Sequence, residues 1–413
     1  MGQADLDQGL PAGPDVQYRI GSITKTVTAA AVMQLVANGR LDLQGPLSQG
    51  WPDAPYPDIS LADLLTHGSG LQREPAGAVW ETLQFPERHQ LLQAAAQAQR
   101  LYPQRSWFHY SNLGFALLGE MVAQMHDTSW EEYVQEGILQ PLGLARTRGQ
   151  PEEPAARGYA VEPYLDGVVQ EPAVDCRGLA PAGQLWSTAE DLCRWTGVLS
   201  GCRPDVLDQT VLAEMRAPRT MADLEHWTWG FGLGLMLFRD GESVYVGHTG
   251  SMPGFLASVV CQPSTSLGVV VLANSTAGVR TGALAVQLLG MAREGRPETV
   301  AWSPADAPPD RIRPVLGRWW SEWNEWVFRW RDGQLQASPA EDRPDTTAAR
   351  FVEVAEDQFV AVSGTERGER LVLVRGAGGD PIAIRKLYWA TYAFTREPRA
   401  SVAPPEHEAG TPI

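Results

Sequence analysis

Gly21-Ser22-Ile23-Thr24-Lys25 runs without a break into the apolar stretch Thr26 to Val36. Alanines, valines, Met33 and Leu35 stand on nearly every side of that stretch, which marks a core helix rather than an amphipathic surface one. Asn38-Gly39 supplies a left-handed stop. Residues three apart on a helix share a face, so the Ser22 hydroxyl and the Lys25 amine can meet. The pair sets a potential nucleophile beside a potential base on a rigid central element. Of the chain's 33 basic residues only Lys25 and Lys386 are lysine. Arginine cannot release its proton in a protein, whereas a desolvated lysine can, so lysine at this position carries chemical weight. The competing reading is an ordinary surface lysine.

A chain of 413 residues has room for two or three domains and a large core. Hydrophobic residues at 44% and charged residues at 20% describe a soluble globular protein. The net charge of −16 argues against nucleic acid or an anionic membrane surface as partner. The charge itself names no substrate. Cys176, Cys193, Cys202 and Cys261 have no metal-type spacing; Cys193 and Cys202 could pair, but buried free thiols are the preferred reading. Neither a metal nor a cofactor is expected. No apolar run reaches the roughly eighteen residues of a membrane span. No basic-then-apolar leader opens the chain, which as written reads as cytoplasmic, and as exported if a longer N-terminus exists.

Residues 1–20 are rich in Gly, Pro and Asp and read as a loop leading to Tyr18-Arg19-Ile20. Ser60-Leu61-Ala62-Asp63 is a capping box for a short helix. The glycine-rich turn Thr66 to Gly70 follows, where His67 is read as a turn histidine bonding backbone rather than as a base. A helix is expected over 86–100. Tyr110-Ser111-Asn112 stands in a loop before a second core helix, Leu113 to Met125. A third helix starts at Thr128-Ser129 and stops at Pro141. Residues 145–180 lack periodicity and read as an irregular covering segment. Ser187-Thr188-Ala189-Glu190 reads as another capping box, for a helix to about Leu199.

The period then changes to two. Phe231 to Phe238, Ser243 to Val246, Phe255 to Val260 and Leu267 to Leu272 read as strands, with Asp240-Gly241 a hairpin turn and His248-Thr249-Gly250 beside one of them. A last helix is expected over 279–293. Helices first and an antiparallel sheet later make an α/β sandwich over residues 1–298. A proline-rich linker, 299–314, leads to a small all-β domain, 315–397, opened by a hairpin through Arg331-Asp332-Gly333. Its tryptophans (Trp319, Trp320, Trp323, Trp326, Trp330) recur at period two and read as barrel core rather than as a sugar-binding platform. Residues 398–413 are expected to be a disordered tail.

Ser22-x-x-Lys25, Tyr110-x-Asn112 and His248-x-Gly250 stand in an order and spacing that resemble the penicillin-binding serine hydrolases related to class C β-lactamases, D-alanyl-D-alanine carboxypeptidases and D-aminopeptidases. Leu64 to Leu71, Pro141-Leu142-Gly143-Leu144, and Ala182-Gly183 with Ser187 to Asp191 extend the resemblance. It implies a β-lactamase/transpeptidase-like fold, an antiparallel sheet flanked by helices plus an all-helical region, with a lipocalin-like C-terminal appendage. It implies that Ser22 attacks a carbonyl and holds the acyl group as an ester. Lys25 and Tyr110 would serve as general base and acid, and which is the base stays open because coupled groups share their protons. Asn112 would bond a substrate amide or support Lys25. His248, Thr249 and Gly250 would line the substrate, and the backbone N–H groups of Ser22 and Ser251 would form the oxyanion hole.

Two departures bear on function. The third motif is His-Thr-Gly rather than Lys-Thr-Gly, and a histidine holds less permanent positive charge for gripping a substrate carboxylate. The expected activity is therefore a serine hydrolase of esterase or D-peptidase type, working through an acyl-enzyme on a small-molecule or peptide-like substrate, an ester or a peptide-like amide. The alternatives are a β-lactamase and a non-catalytic penicillin-recognising sensor. Relatives also carry a helix and two strands before the serine motif. Gly2 to Leu6 looks like the end of the second of those strands, so the chain is expected to lack the start of its domain, through a late-called start codon or true loss.

Overall fold

The computed structural model describes residues 2–161, 167–204, 206–276, 280–294, 307–321, 323–341, 348–376 and 383–398. The chain divides into two compact units, Met1–Pro297 and Glu298–Ile413. Residues 299–306 of the expected linker and 399–413 of the expected tail lie outside the described residues.

At the centre of the first unit the helix Thr24–Ala37 packs against the helix Asn112–His126. Residues Thr24 to Met33 are all buried, as an apolar helix of small residues requires when other elements surround it. The small side chains allow close approach: a Cβ added to Gly234 would lie 2.2 Å from Ala29 Cβ. Ser60 and Ser129 cap their helices by accepting the N–H groups of Asp63 and Glu132, each at 3.1 Å. Thr188, not Ser187, caps the helix Ala189–Ser200, accepting from Asp191 N at 3.1 Å. Ser187 is instead a strand residue paired with Tyr18.

A six-stranded sheet stands behind these helices, every neighbour antiparallel, in the order Leu267–Ala273, Phe255–Gln262, Ser243–Met252, Met236–Asp240, Trp229–Phe231, Thr220–Met221. Period-two alternation divides its faces. Tyr245 and Val260 meet Ala285 and Leu289 of the helix Thr281–Glu294. Val246, Val259 and Cys261 point the other way, into the core that holds the helix Thr24–Ala37. An α/β sandwich results.

Several local expectations are corrected. Phe231 to Phe238 is not one strand but the ends of two, Trp229–Phe231 and Met236–Asp240, joined through Gly232 and Gly234. A Cβ on Gly232 would stand 2.0 Å from the Met215 carbonyl, so the chain must turn where two glycines permit it. Ser243 to Val246 is the start of a ten-residue strand that contains His248-Thr249-Gly250. Residues 1–20 include a small ribbon, Gln3–Asp5 with Leu10–Pro11, and the covering segment contains the hairpin Tyr159–Val161 with Val168–Gln170. The outer edge of Leu267–Ala273 has no strand partner among the described residues.

The second unit is an eight-stranded antiparallel meander from Gly317–Ser321 to Tyr392–Phe394. Trp320 and Thr395 exchange backbone hydrogen bonds at 2.8 and 2.9 Å, bringing the first strand to the last in a nearly closed barrel. Trp319 is fully buried and its indole donates to the Val315 carbonyl at 2.6 Å. Trp323 is 69% exposed, so the tryptophan cluster is core only in part. Val315 and Ile312 join that core, Ile312 from before the expected start at 315.

Candidate active site

The site forms where three distant segments meet. Gly21–Ile23 is a short 3₁₀ turn entering the helix Thr24–Ala37, so Ser22 sits at its mouth and Lys25 one turn inside. The pairing of Ser243–Met252 with Met236–Asp240 ends at Gly247. Beyond that point the turn packs against the strand. A Cβ on Gly250 would lie 1.9 Å from the Ile20 carbonyl oxygen and 3.3 Å from Ser22 N. Gly21 has φ +51°, and its added Cβ would lie 2.9 Å from both N and O of Ser251. Glycine is required at both positions, and the approach it allows brings the backbone N–H groups of Ser22 and Ser251 close together.

Lys25 is completely buried. Its Nζ donates to Asn112 Oδ1 and to the Ala182 carbonyl, both at 2.7 Å, and stands 3.1 Å from Ser22 Oγ. Burial disfavours the ammonium and brings its pKa down to about 7, helped by Arg73 and opposed by Glu74 and Cys176. Asn112 is the first residue of the helix Asn112–His126, set by Ser111, whose hydroxyl accepts Gly114 N at 3.0 Å. Tyr110 precedes that cap, with Lys25 Nζ 4.9 Å from its ring centroid. Burial raises the Tyr110 pKa, against the pull of Ser22 and Arg73. The phenol therefore stays protonated at neutral pH.

His248 is 2% exposed, with its ring 6.3 Å from that of Tyr110. Its Nδ1 donates to the Thr249 carbonyl at 2.5 Å, leaving Nε2 without a proton. Burial and Lys25 lower its pKa to about 3, outweighing that bond. His248 is thus neutral. His67, at φ +57°, stacks on Tyr110 with centroids 4.2 Å apart, and its Nδ1 accepts the Ser111 N–H at 3.1 Å. It bonds backbone, and burial first, then Lys25, His248, Arg73 and His109, push its pKa well down.

Among the candidates on this strand, the Thr249 side chain turns away from Ser22. Its neighbours His248 and Gly250 face the serine, so alternation sends Thr249 to the opposite face. There its hydroxyl donates to Met236 Sδ at 3.6 Å and its methyl lies against Gly282. Only its backbone, as acceptor for His248, borders the site. Ser251 has the same parity and likewise offers backbone alone.

Sequence reasoning missed Arg73 and Glu74. The Arg73 guanidinium lies 4.8 Å from the Tyr110 ring centroid, and Glu74 Oε1 accepts Asn112 Nδ2 at 2.5 Å. A charged dipeptide two residues beyond Gly70-Leu71 has no periodicity to mark it. A cavity of about 480 Å³ beside Phe108, lined among others by Asp63, Arg105, Trp107 and Arg219, includes none of Ser22, Lys25, Tyr110 or His248. Among the described residues no group of three or more His, Cys, Asp or Glu could hold a metal ion, and no helix is long and apolar enough to cross a membrane.

An antiparallel sheet behind packed core helices, with a serine and a buried lysine at their junction, defines the β-lactamase and penicillin-binding class of serine hydrolase fold. The chain belongs to the beta-lactamase family, whose model matches residues 1–290, and a domain of unknown function matches residues 308–396. Penicillin-binding protein 4 of Amycolatopsis lactamdurans is 29% identical over 75% of this chain and 86% of its own length. Beta-lactamase-like protein 2 of Dictyostelium discoideum is 29% identical over 57% of this chain, which spans 42% of that protein. The D-amino acid amidase of Ochrobactrum anthropi SV3, solved with D-phenylalanine, superposes with a TM-score of 0.63 at 25% identity, covering 72% of this chain and 90% of its own.

Proposed function

We propose that this chain is a serine hydrolase that forms a covalent acyl-enzyme on Ser22 and acts on esters or peptide-like amides, including D-configured ones. The observation that carries the reading is Lys25 Nζ at 3.1 Å from Ser22 Oγ, on an amine whose pKa lies at about 7. A large share of such an amine is neutral near pH 7 and able to take the serine proton. Ser22 Oγ would bond to the carbonyl carbon as its proton passes to Lys25. The oxyanion would lie between the N–H groups of Ser22 and Ser251. Tyr110, whose pKa is raised, is suited to donate to the leaving group as the carbonyl re-forms and to accept from water in deacylation. The names of an amidase solved with D-phenylalanine and of a penicillin-binding relative favour amide substrates.

A neutral His248 supplies no fixed charge for a substrate carboxylate, which favours this reading over a β-lactamase or a D-alanyl-D-alanine carboxypeptidase. The test is turnover of a nitrophenyl ester, a D-alanyl peptide amide and a chromogenic cephalosporin by wild type and Ser22→Ala, with mass detection of an acyl adduct. Ser22-dependent turnover of the ester or the amide is expected. Cephalosporin as the best substrate would favour the β-lactamase. An adduct without turnover would favour a sensor, and neither an adduct nor Ser22-dependent turnover on any of the three would defeat the enzyme reading.

A further inference from the structure

The loop Gln72 to Glu74 is clamped onto the start of the helix Asn112–His126. The Gln72 carbonyl accepts Ser111 Oγ at 2.8 Å, and the Arg73 carbonyl accepts Asn112 N at 2.8 Å and Leu113 N at 3.1 Å. These bonds hold Glu74 against the Asn112 side chain, where its Oε1 accepts Nδ2 at 2.5 Å. The same clamp lays Arg73 over the Tyr110 ring and leaves its Nε 3.6 Å from Glu74 Oε1. Glu74 Oε2 is buried without a partner.

A neutral lysine has two N–H donors and one lone pair. Both donors of Lys25 are taken, by Asn112 Oδ1 and the Ala182 carbonyl at 2.7 Å each. The lone pair is then left for the third neighbour, the Ser22 hydroxyl at 3.1 Å. This depends on which way the Asn112 amide points. Flipped, Asn112 would offer N–H groups to Nζ and occupy the lone pair, leaving nothing to take the serine proton. The flip would also set Asn112 Oδ1 against the Glu74 carboxylate, acceptor facing acceptor.

We propose that Glu74 is a positioning residue for the Ser22–Lys25 pair, acting through Asn112 by holding its amide so that Oδ1 faces Lys25. The inference rests on the serine hydrolase reading above. Glu74 also bears on the charge of the lysine. The titratable groups around Lys25 are Glu74, Arg73, Cys176, Tyr110 and the two neutral histidines His67 and His248. Glu74 favours the ammonium and Arg73 disfavours it. Removing the carboxylate frees the amine at lower pH, and removing Arg73 does the reverse.

The test uses the full chain, with hydrolysis of a nitrophenyl ester and the rate of Ser22 phosphonylation by a fluorophosphonate, each followed from pH 5 to 9. Glu74→Ala is expected to lower kcat about 10²-fold, the loss typical of a misplaced catalytic group, with KM little changed. Glu74→Gln, which keeps an acceptor for Asn112 Nδ2, is expected to recover most of that loss. In both variants the acid limb moves to lower pH, and in Arg73→Gln it moves to higher pH. Phosphonylation, in which Ser22 Oγ bonds to phosphorus as fluoride leaves and the serine proton passes to Lys25, should follow the same order without a deacylation step. The inference is overturned if Glu74→Ala matches wild type in kcat and acid limb. It is also overturned if Glu74→Gln is as impaired as Glu74→Ala while both lose thermal stability in parallel. A wild type in which Ser22 never reacts would instead defeat the hydrolase reading itself.

Discussion

Lys25 Nζ stands 3.1 Å from Ser22 Oγ while remaining completely buried. A lysine so placed is held near the point where it is half protonated, because burial penalises the ammonium more than Glu74 supports it. In the proposed mechanism the neutral amine is the competent form, so activity should rise with pH through a limb near the lysine's value of about 7. Lys25→Arg keeps the charge but cannot shed the proton, and is expected to lower kcat roughly 10²- to 10⁴-fold. A pH–rate profile of Ser22-dependent ester hydrolysis checks both. An acid limb two units lower, or an active arginine variant, would remove Lys25 from the base role.

Gly250 should tolerate no side chain. Its Cβ would meet the Ile20 carbonyl oxygen at 1.9 Å, forcing the strand away from Ser22 N and separating the two N–H groups proposed to hold the oxyanion. Gly250→Ala is expected to lose about 10²-fold or more in kcat, the scale of removing one such donor, and ~1–3 kcal/mol of stability. Steady-state kinetics with a urea melt would show whether the two losses occur together.

Buried neutral histidines should make the first unit sensitive to acid. The pKa values of His67 and His248 are lowered in the fold, His248 to about 3, whereas both would titrate near 6.5 when unfolded. Below pH 6.5 the unfolded chain takes up protons that the folded chain refuses, so their contribution to stability is present above 6.5 and lost as pH falls toward 3. The slope for each histidine approaches about 1.4 kcal/mol per pH unit. Urea melts between pH 7 and 4 should show a shallower decline for His248→Gln than for wild type. Parallel declines would contradict the assignment.

In the barrel, the two ends of the tryptophan cluster should behave oppositely. Trp319 is fully buried, bonds the Val315 carbonyl and carries the Arg396 guanidinium 3.9 Å from its ring centroid. Trp319→Ala is expected to cost ~3–5 kcal/mol. Trp323→Ala, at an exposed position, should stay within about 0.5 kcal/mol. Thermal melts of the two variants decide between core and surface roles.

Local regularities were legible in the sequence. The spacing of Ser22 and Lys25 places them on one helical face whatever surrounds them, because helix geometry is set by the backbone. The caps at Ser60 and Ser129 and the left-handed stop at Gly39 are read off for the same reason: each is satisfied within a few residues of itself. The hairpin expected at Asp240-Gly241 turns one residue later, at Gly241-Glu242, because Asp240 pairs with Ser243. The strand from Phe231 was misread because its interruption answers to Met215 and Ala29, residues far off in the chain. The facing of the Thr249 side chain was not legible because it is decided by the strand's register against its neighbours, and a single motif does not carry that register.

The sequence by itself determined the chemical inventory: a serine, a lysine able to lose a proton, a tyrosine and a histidine, each on an element that its own neighbours specify. Only the tertiary structure decided how those groups act on one another. Burial brought the lysine to about 7 and kept His248 neutral, and it enlisted the Ala182 carbonyl and Glu74 as the partners that orient Lys25 and Asn112. The physical reason is that helix faces and turns follow from local geometry, whereas desolvation and charge at a buried amine depend on whatever the rest of the chain packs around it.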